Sequence, residues 1–252
     1  MTRQALRVLH TSDVHLTPFD DREGADAVVV GCGISEAEAF VQLVDRVLEE
    51  RADLFLIAGD LFDSNRVDER EVQFVETHLS RLMCPVVVIP GNHDCYEDGS
   101  IYRRFDFGDL GDHVHALTAE EGELLILNPL GVTLWGKGLV EHVPANRPLA
   151  GVPARVDGNW YIGLAHGLVV PDSGELRSSL ITPDEIAASD FDYLALGHVH
   201  VFRDVSHGAT RAFYPGSPLV PYAPERSSVA LVTLDPENGI DVECLRLLPA
   251  VT

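Results

Sequence analysis

Five apolar runs in this 252-residue chain end in side chains able to hold a metal ion or move a proton. LRVLHTSDVH closes on Asp13 and His15, DLFLIAGDLFD on Asp60 and Asp63, and PVVVIPGNHD on Asn92, His93 and Asp94. YIGLAHG closes on His166, and DYLALGHVH on His198 and His200. Singly, each has a plain structural use: a strand-end Asp caps a helix or turns the chain, and GNHD suits a turn. Together they demand more. Carboxylates and imidazoles converging on one crevice would repel or stay unsatisfied unless something cationic sat among them. Oxygen and imidazole donors without thiolates suit Mn²⁺, Fe or Zn²⁺, whereas Ca²⁺ would want oxygens only. The donors are too many for one tetrahedral site. They suffice for two ions sharing one carboxylate, about 3.5–4 Å apart as in two-metal hydrolases. His198 and His200 are therefore expected to be metal ligands.

The elements that must position these groups are legible from periodicity. A strand is expected at LRVLH and a helix over 35–51, where Ser35 and Glu38 form a capping box and Phe40, Leu43, Val44, Val47 and Leu48 share a face. DLFLIAG is a second strand, followed by a helix over 68–82 and a third strand, PVVVIPG. Such alternation implies parallel strands with crossover helices. Beyond Tyr96 short strands follow one another between Gly and Pro turns (VHAL, ELLIL, VTLWG, YIGLAH, DYLALGH, TRAFYPG, VALVTL and VECLRL), with one helical stretch near 183–188. This half is expected to be mixed or antiparallel. In open α/β sheets, ligands gather at the carboxyl ends of strands, which is where the five motifs fall. Glycine accompanies four of the five, as a tight turn or close backbone approach requires. Residues 141–159 are loop-like and either border the site or form a surface excursion.

Taken in order, D-x-H, GD-x-x-D, GNHD, a lone His and GH-x-H resemble the calcineurin-like metallophosphoesterases over about residues 5–220. That resemblance implies an α/β (α+β) fold: a four-layer αββα sandwich of two mixed β-sheets flanked by helices, with a dinuclear metal site at strand C-terminal ends. It implies one ion on Asp13, His15, Asp60 and His200 and another on Asp60, Asn92, His166 and His198, with Asp60 bridging. His93 would act as general acid or charge stabiliser at the scissile phosphate, oriented by Asp94, and Asp63 would hold the ligand geometry from behind. The implied reaction is hydrolysis of a phosphate ester by in-line attack of a metal-bridging hydroxide, with Mn²⁺ the foremost metal and Fe or Zn²⁺ alternatives.

Within the family, AGDLFD and YPGSP make the chain most similar to the double-strand-break repair exonuclease branch. Residues 214–217 form either a loop near the metals or a plain strand-end turn. Those nucleases carry a capping domain after the phosphoesterase core. Little follows SVALVTLD here, so a single phosphoesterase domain over 1–252, without a capping domain, is expected.

Charge narrows the substrate. The chain carries 18 basic against 40 acidic residues, a formal charge of −22, and Lys137 is its one lysine. Nucleic-acid surfaces need clustered Lys and Arg, so a small molecule or nucleotide ester is favoured over a wide DNA footprint. Arg66, Arg103, Arg104, Arg203 and Arg211 could line a small phosphate-binding rim. The expected activity is a phosphodiesterase, with a DNA exonuclease or endonuclease as one alternative. A non-catalytic scaffold on the same fold is another, whose mark, loss of ligands or of the GNHD histidine, is not seen. Cys32, Cys84, Cys95 and Cys244 show no CxxC spacing and indicate neither a zinc ribbon nor a disulfide framework. No apolar run is long enough for a membrane span. No signal-peptide core precedes the first strand, so a cytoplasmic protein is expected.

Overall fold

The computed structural model describes residues 3–19, 34–156, 158–171 and 178–247. Cys32 and residue 157 lie outside them. The first part of the chain runs β1 (Leu6–Thr11), α1 (Glu36–Glu49), β2 (Leu54–Ala58), α2 (Glu69–Leu79), β3 (Val86–Ile89), α3 (Ile101–Arg104) and β4 (Val114–Ala116). It continues with β5 (Glu123–Leu127), β6 (Val132–Gly136), β7 (Trp160–His166), β8 (Leu168–Val169), β9 (Leu180–Ile181) and α4 (Pro183–Ala188). The last part holds β10 (Tyr193–Gly197), β11 (Phe202–Asp204), β12 (Arg211–Pro215), β13 (Ser228–Asp235) and β14 (Gly239–Arg246).

Two six-stranded sheets face each other. The first has the order β14-β13-β1-β2-β3-β4, with β1 to β4 mutually parallel and β13 and β14 antiparallel. The second has the order β11-β12-β10-β7-β6-β5 and is parallel at its centre, with antiparallel strands only at its edges. Both are mixed. The parallel core explains why β2, β3, β7 and β10 read as unbroken apolar runs, since each is buried on both faces. Alternation still sorts their side chains. Leu54, Leu56 and Ala58 of β2 turn inward to meet Leu134, Ile162, Leu164 and Tyr193, while Phe55 and Ile57 turn out to the helices.

Helix α1 begins where expected. The Ser35 hydroxyl accepts the Glu38 amide at 3.2 Å and the Glu38 carboxylate accepts the Ser35 amide at 2.8 Å. Phe40, Leu43, Val44 and Val47 pack on the first sheet with Val72 and Val75 of α2. Leu48, expected on the same face, is instead 42% exposed. At about 100° per residue it lies roughly 80° around the helix from Phe40, beyond the buried stripe.

The outer face of the second sheet carries a thinner layer. Ile186 of α4 covers Tyr161, Leu194 and Tyr214 together with Leu149 from the segment after β6. Residues 141–156 are thus not a free surface excursion. Arg147 makes a two-pronged ion pair with Glu185, with Nη2 2.6 Å from Oε2, and Arg155 donates to Asp192 at 2.9 Å. The four-layer sandwich holds, with a short helix and a pinned loop as its fourth layer.

Candidate metal centre

The C-terminal ends of β1, β2, β3, β7 and β10 meet at one edge of the two facing sheets, and the backbone bends sharply there. Six described non-glycine residues have a left-handed φ, and four of them are Asp13 (56°), His15 (54°), Asp60 (53°) and His198 (103°). Such a conformation costs of order 1–3 kcal/mol per residue and persists only where surrounding structure enforces it. Glycine makes the approach of the sheets possible. Gly59 has φ 91°, and a Cβ on it would strike the His166 ring. One on Gly197 would collide with the Ala58 carbonyl.

Asp60 and Asp13 each have one oxygen tied by a backbone amide and the other turned to the histidines. Asp60 Oδ1 accepts the His93 amide at 2.8 Å. Its Oδ2 faces His166 Nε2 at 3.4 Å and His15 Nε2 at 3.9 Å. Asp13 Oδ2 accepts the His198 amide at 3.0 Å and the Ser12 hydroxyl. Its Oδ1 lies 3.4 Å from His200 Nε2 and, although buried, has no hydrogen-bond partner. His15 Nε2 and His200 Nε2 are 3.3 Å apart. On the other side of Asp60, Asn92 Oδ1 is 3.0 Å from His166 Nε2 and 2.8 Å from His198 Nδ1. His166 donates its Nδ1 proton to the Ala58 carbonyl at 2.8 Å, which leaves Nε2 as the donor atom facing the cluster.

These spacings fit divalent cations. Donors about 2.1 Å from an ion and about 90° apart stand about 3 Å from one another. An orphaned carboxylate oxygen and two imidazole nitrogens pointing at each other are what such an ion would resolve. Donor atoms of Asp13, His15 and His200 lie within 4.8 Å of one another, as do those of Asp13, Asp60 and His166, and those of His15, Asp60 and His93.

The electrostatics agree. Burial alone would raise the Asp60 carboxyl, yet His166 and His15 hold it well below its ordinary range. Burial presses His166 down, but the Asp60 carboxylate outweighs it and carries the imidazole up to about 9. Burial lowers His198 to about 4, helped by His166.

His93 stands at the mouth, its side chain 42% exposed. Its Nδ1 donates to the Asp63 carbonyl at 2.9 Å and lies 3.4 Å from Asp63 Oδ1, which is also 3.4 Å from His15 Nδ1. Asp63 therefore holds the His93 ring through its carbonyl and sets its carboxylate beside both imidazoles. Asp94 differs from its expected place behind His93. Its carboxylate accepts the Gly91 amide at 2.7 Å, the Phe62 amide at 3.2 Å and the Tyr102 hydroxyl at 3.0 Å, and none of its described hydrogen bonds reaches the His93 ring. Burial and the nearby Asp60 push this carboxyl up to about 6. Asp94 fastens the GNHD turn, and Asp63 orients the imidazole.

Around the centre, Ser217 of YPGSP donates to the Asp13 carbonyl at 2.8 Å and Tyr214 donates to the Gly167 carbonyl at 2.7 Å, so this loop does border the site. Of the arginines, Arg104 donates to the Asn65 and Val67 carbonyls and Arg103 stacks over Tyr96, partners that follow Asp63 and His93 closely in the chain. Arg211 pairs with Asp204 at the far end of β10 from His198, away from the centre. Sequence reasoning missed His142 and Ser178. Ser178 lies within hydrogen-bond distance of both His142 Nε2 (2.9 Å) and His198 Nε2 (3.4 Å). The one signal was a histidine inside the loop-like segment.

Residues 6–202 match the model of the calcineurin-like phosphoesterases, and the chain belongs to that family. It is 25% identical over 244 residues to an uncharacterized metallophosphoesterase, YhaO, of Bacillus subtilis, covering 93% of this chain and 58% of that one. It is 24% identical over 223 residues to a component of the SbcCD nuclease of Staphylococcus saprophyticus, covering 77% and 56%. A protein of Pseudoalteromonas named as a probable cyclic nucleotide phosphodiesterase is 26% identical over 219 residues, covering 82% and 78%. The chain thus spans just over half the length of the first two relatives. The fold matches the crystal structure of TT1561 of Thermus thermophilus, with a TM-score of 0.57 at 13% identity over 97% of this chain and 100% of that one. Among the described residues no helix is long and apolar enough to cross a membrane.

Proposed function

We propose that the chain is a dinuclear metal-dependent phosphoesterase that hydrolyses phosphodiesters. One observation carries this reading: Asp60 presents a single oxygen, Oδ2, to both His15 and His166 while the His93 amide holds the other. One ion is assigned to Asp13, His15, Asp60 and His200, and a second to Asp60, Asn92, His166 and His198. Mn²⁺ is the foremost candidate, with Fe and Zn²⁺ as alternatives that the same oxygen and imidazole donors suit. Divalent ions held there supply Lewis acidity toward phosphoryl oxygens and make water available as a nucleophile near neutral pH.

The remaining chemistry belongs to the chain. His93, as imidazolium, keeps its Nδ1 proton on the Asp63 carbonyl and its charge opposite the Asp63 carboxylate. Its Nε2 proton is then available to the leaving alkoxide or to a phosphoryl oxygen. The second reading is a DNA nuclease, favoured by the relative named as part of a nuclease and by Arg103 and Arg104, whose partners Tyr96 and Asn65 follow His93 and Asp63 in the chain. The net charge of −22 favours a small diester instead.

The deciding experiment is a Mn²⁺-dependent assay on bis(p-nitrophenyl) phosphate and end-labelled duplex DNA. Cleavage of the small diester alone supports the proposal, and DNA degradation at cellular salt would establish the nuclease. No turnover of either, with two ions bound, would contradict a phosphodiesterase.

A further inference from the structure

We infer that His142, acting through Ser178, is a positioning residue that holds His198 in the tautomer a metal ligand needs. This rests on the assignment of His198 Nδ1 as a donor to the second ion. His198 Nδ1 points at Asn92 Oδ1, 2.8 Å away, and its Nε2 at Ser178 Oγ, 3.4 Å away. A neutral imidazole carries one proton, so Nδ1 can face a cation only when that proton sits on Nε2. Nε2–H then donates to Ser178 Oγ. The Ser178 hydroxyl proton needs an acceptor in turn, and His142 Nε2 lies 2.9 Å from the oxygen.

The chain of three groups has two polarities. Without a cation, His198 Nδ1–H can donate to Asn92, Ser178 to His198 Nε2, and His142 Nε2–H to Ser178. With a cation at Nδ1, the bond to Asn92 is given up, the two bonds through Ser178 reverse and the His142 proton resides on Nδ1. No proton is gained or lost by the trio, so with His142 accepting from Ser178 the ligand tautomer is reached without adding charge.

The arrangement is built rather than incidental. Ser178 is buried, and the neighbouring Ser179 hydroxyl donates to the Val143 carbonyl at 3.4 Å, a second tie between the same segments. The His142 and His198 rings meet edge to face with centroids 5.1 Å apart. The Leu139 amide donates to the Pro90 carbonyl at 3.1 Å, joining the start of the His142 segment to the strand end that carries Asn92.

The test is a zinc titration of the whole chain by calorimetry, with imidazole nitrogen NMR of the zinc-loaded protein. Loss of an outer-shell partner costs metal affinity about 10–100-fold. His142→Ala is expected to weaken the second ion by that factor and the first by less than about twofold. His142→Gln, whose side-chain oxygen can accept from Ser178, should recover most of the affinity. Adding His142→Ala to Ser178→Ala should cost nothing further. In zinc-loaded wild type the His142 proton is expected on Nδ1. Unchanged second-ion affinity in His142→Ala, or a His142 Nε2 proton in the loaded protein, would overturn the inference. So would an equal loss in Arg147→Met, which loosens the same segment while keeping His142. If wild type itself bound fewer than two ions, the dinuclear reading would fall first.

Discussion

The His93 amide donates to Asp60 Oδ1 at 2.8 Å, and this bond turns the other Asp60 oxygen toward His15 and His166 together. The turn that carries the candidate acid therefore also aims the candidate bridging carboxylate. Asp60→Asn keeps the volume but puts an amide where the proposed centre needs one oxygen to serve two ions. Metal content should fall from two ions to less than one per chain. Turnover should fall by more than the roughly 100-fold that an outer partner costs. Elemental analysis beside the diester assay checks both.

His93→Ala should leave two ions bound and lower turnover by roughly 10²–10⁴-fold, the usual worth of a positioned acid. The loss should grow with the basicity of the leaving group, because nitrophenolate departs without help and an alkoxide does not. His93 also lies within ligand distance of His15 and Asp60. Loss of metal in His93→Ala would therefore make it a ligand instead.

Asp94 and Asp63 separate by the same logic. Asp63→Ala should weaken turnover without unfolding, since it removes the carboxylate beside two imidazoles while keeping the carbonyl that accepts from His93. Tyr102→Phe should destabilise the fold by about 1–3 kcal/mol by leaving a buried Asp94 oxygen short of a donor. Thermal melts and rates on both variants check the split.

Most of this centre was legible in the sequence because each strand–turn motif is local: a buried strand, a glycine and a polar pair lie within a few residues. The capping boxes at Ser35 and Asp68 were local too, although only Ser35 was read as one. What escaped was set by distant chain. Nothing near Asp94 indicates Tyr102 or the Phe62 amide as its partners, and proximity in sequence suggested His93 instead. The return of β13 and β14 to the first sheet depends on pairing between Leu6 and Leu234, far apart in the chain. His142 sits in a Pro-rich stretch without periodicity, so its place against Ser178 and His198 appears only once the fourth layer is folded.

That layer gives a prediction on pH. Burial would raise Glu185, but bonds from Arg147 and Thr182 hold it below its ordinary value of 4.5. A carboxyl depressed on folding stabilises the native state above its unfolded pKa, and that contribution is lost as pH falls through the folded value. Acid unfolding of Arg147→Met should therefore show a smaller drop below pH 4.5 than wild type, with a neutral-pH cost of about 0.2–1 kcal/mol. Denaturant melts at neutral pH and near pH 4 measure both.

Gly197→Ala tests the close approach of the sheets. The added methyl would meet the Ala58 carbonyl and the His166 ring, so a loss of about 1–3 kcal/mol is expected from overpacking. Metal should be lost with it, and a stable variant with full metal content would contradict the packing described.

The central claim is that one carboxylate joins two ions, and electron paramagnetic resonance of the protein titrated with Mn²⁺ tests it most directly. The structure predicts that a second equivalent produces the signal of an exchange-coupled Mn²⁺ pair, lost in Asp60→Asn. Only the six-line pattern of isolated Mn²⁺ through two equivalents would contradict it.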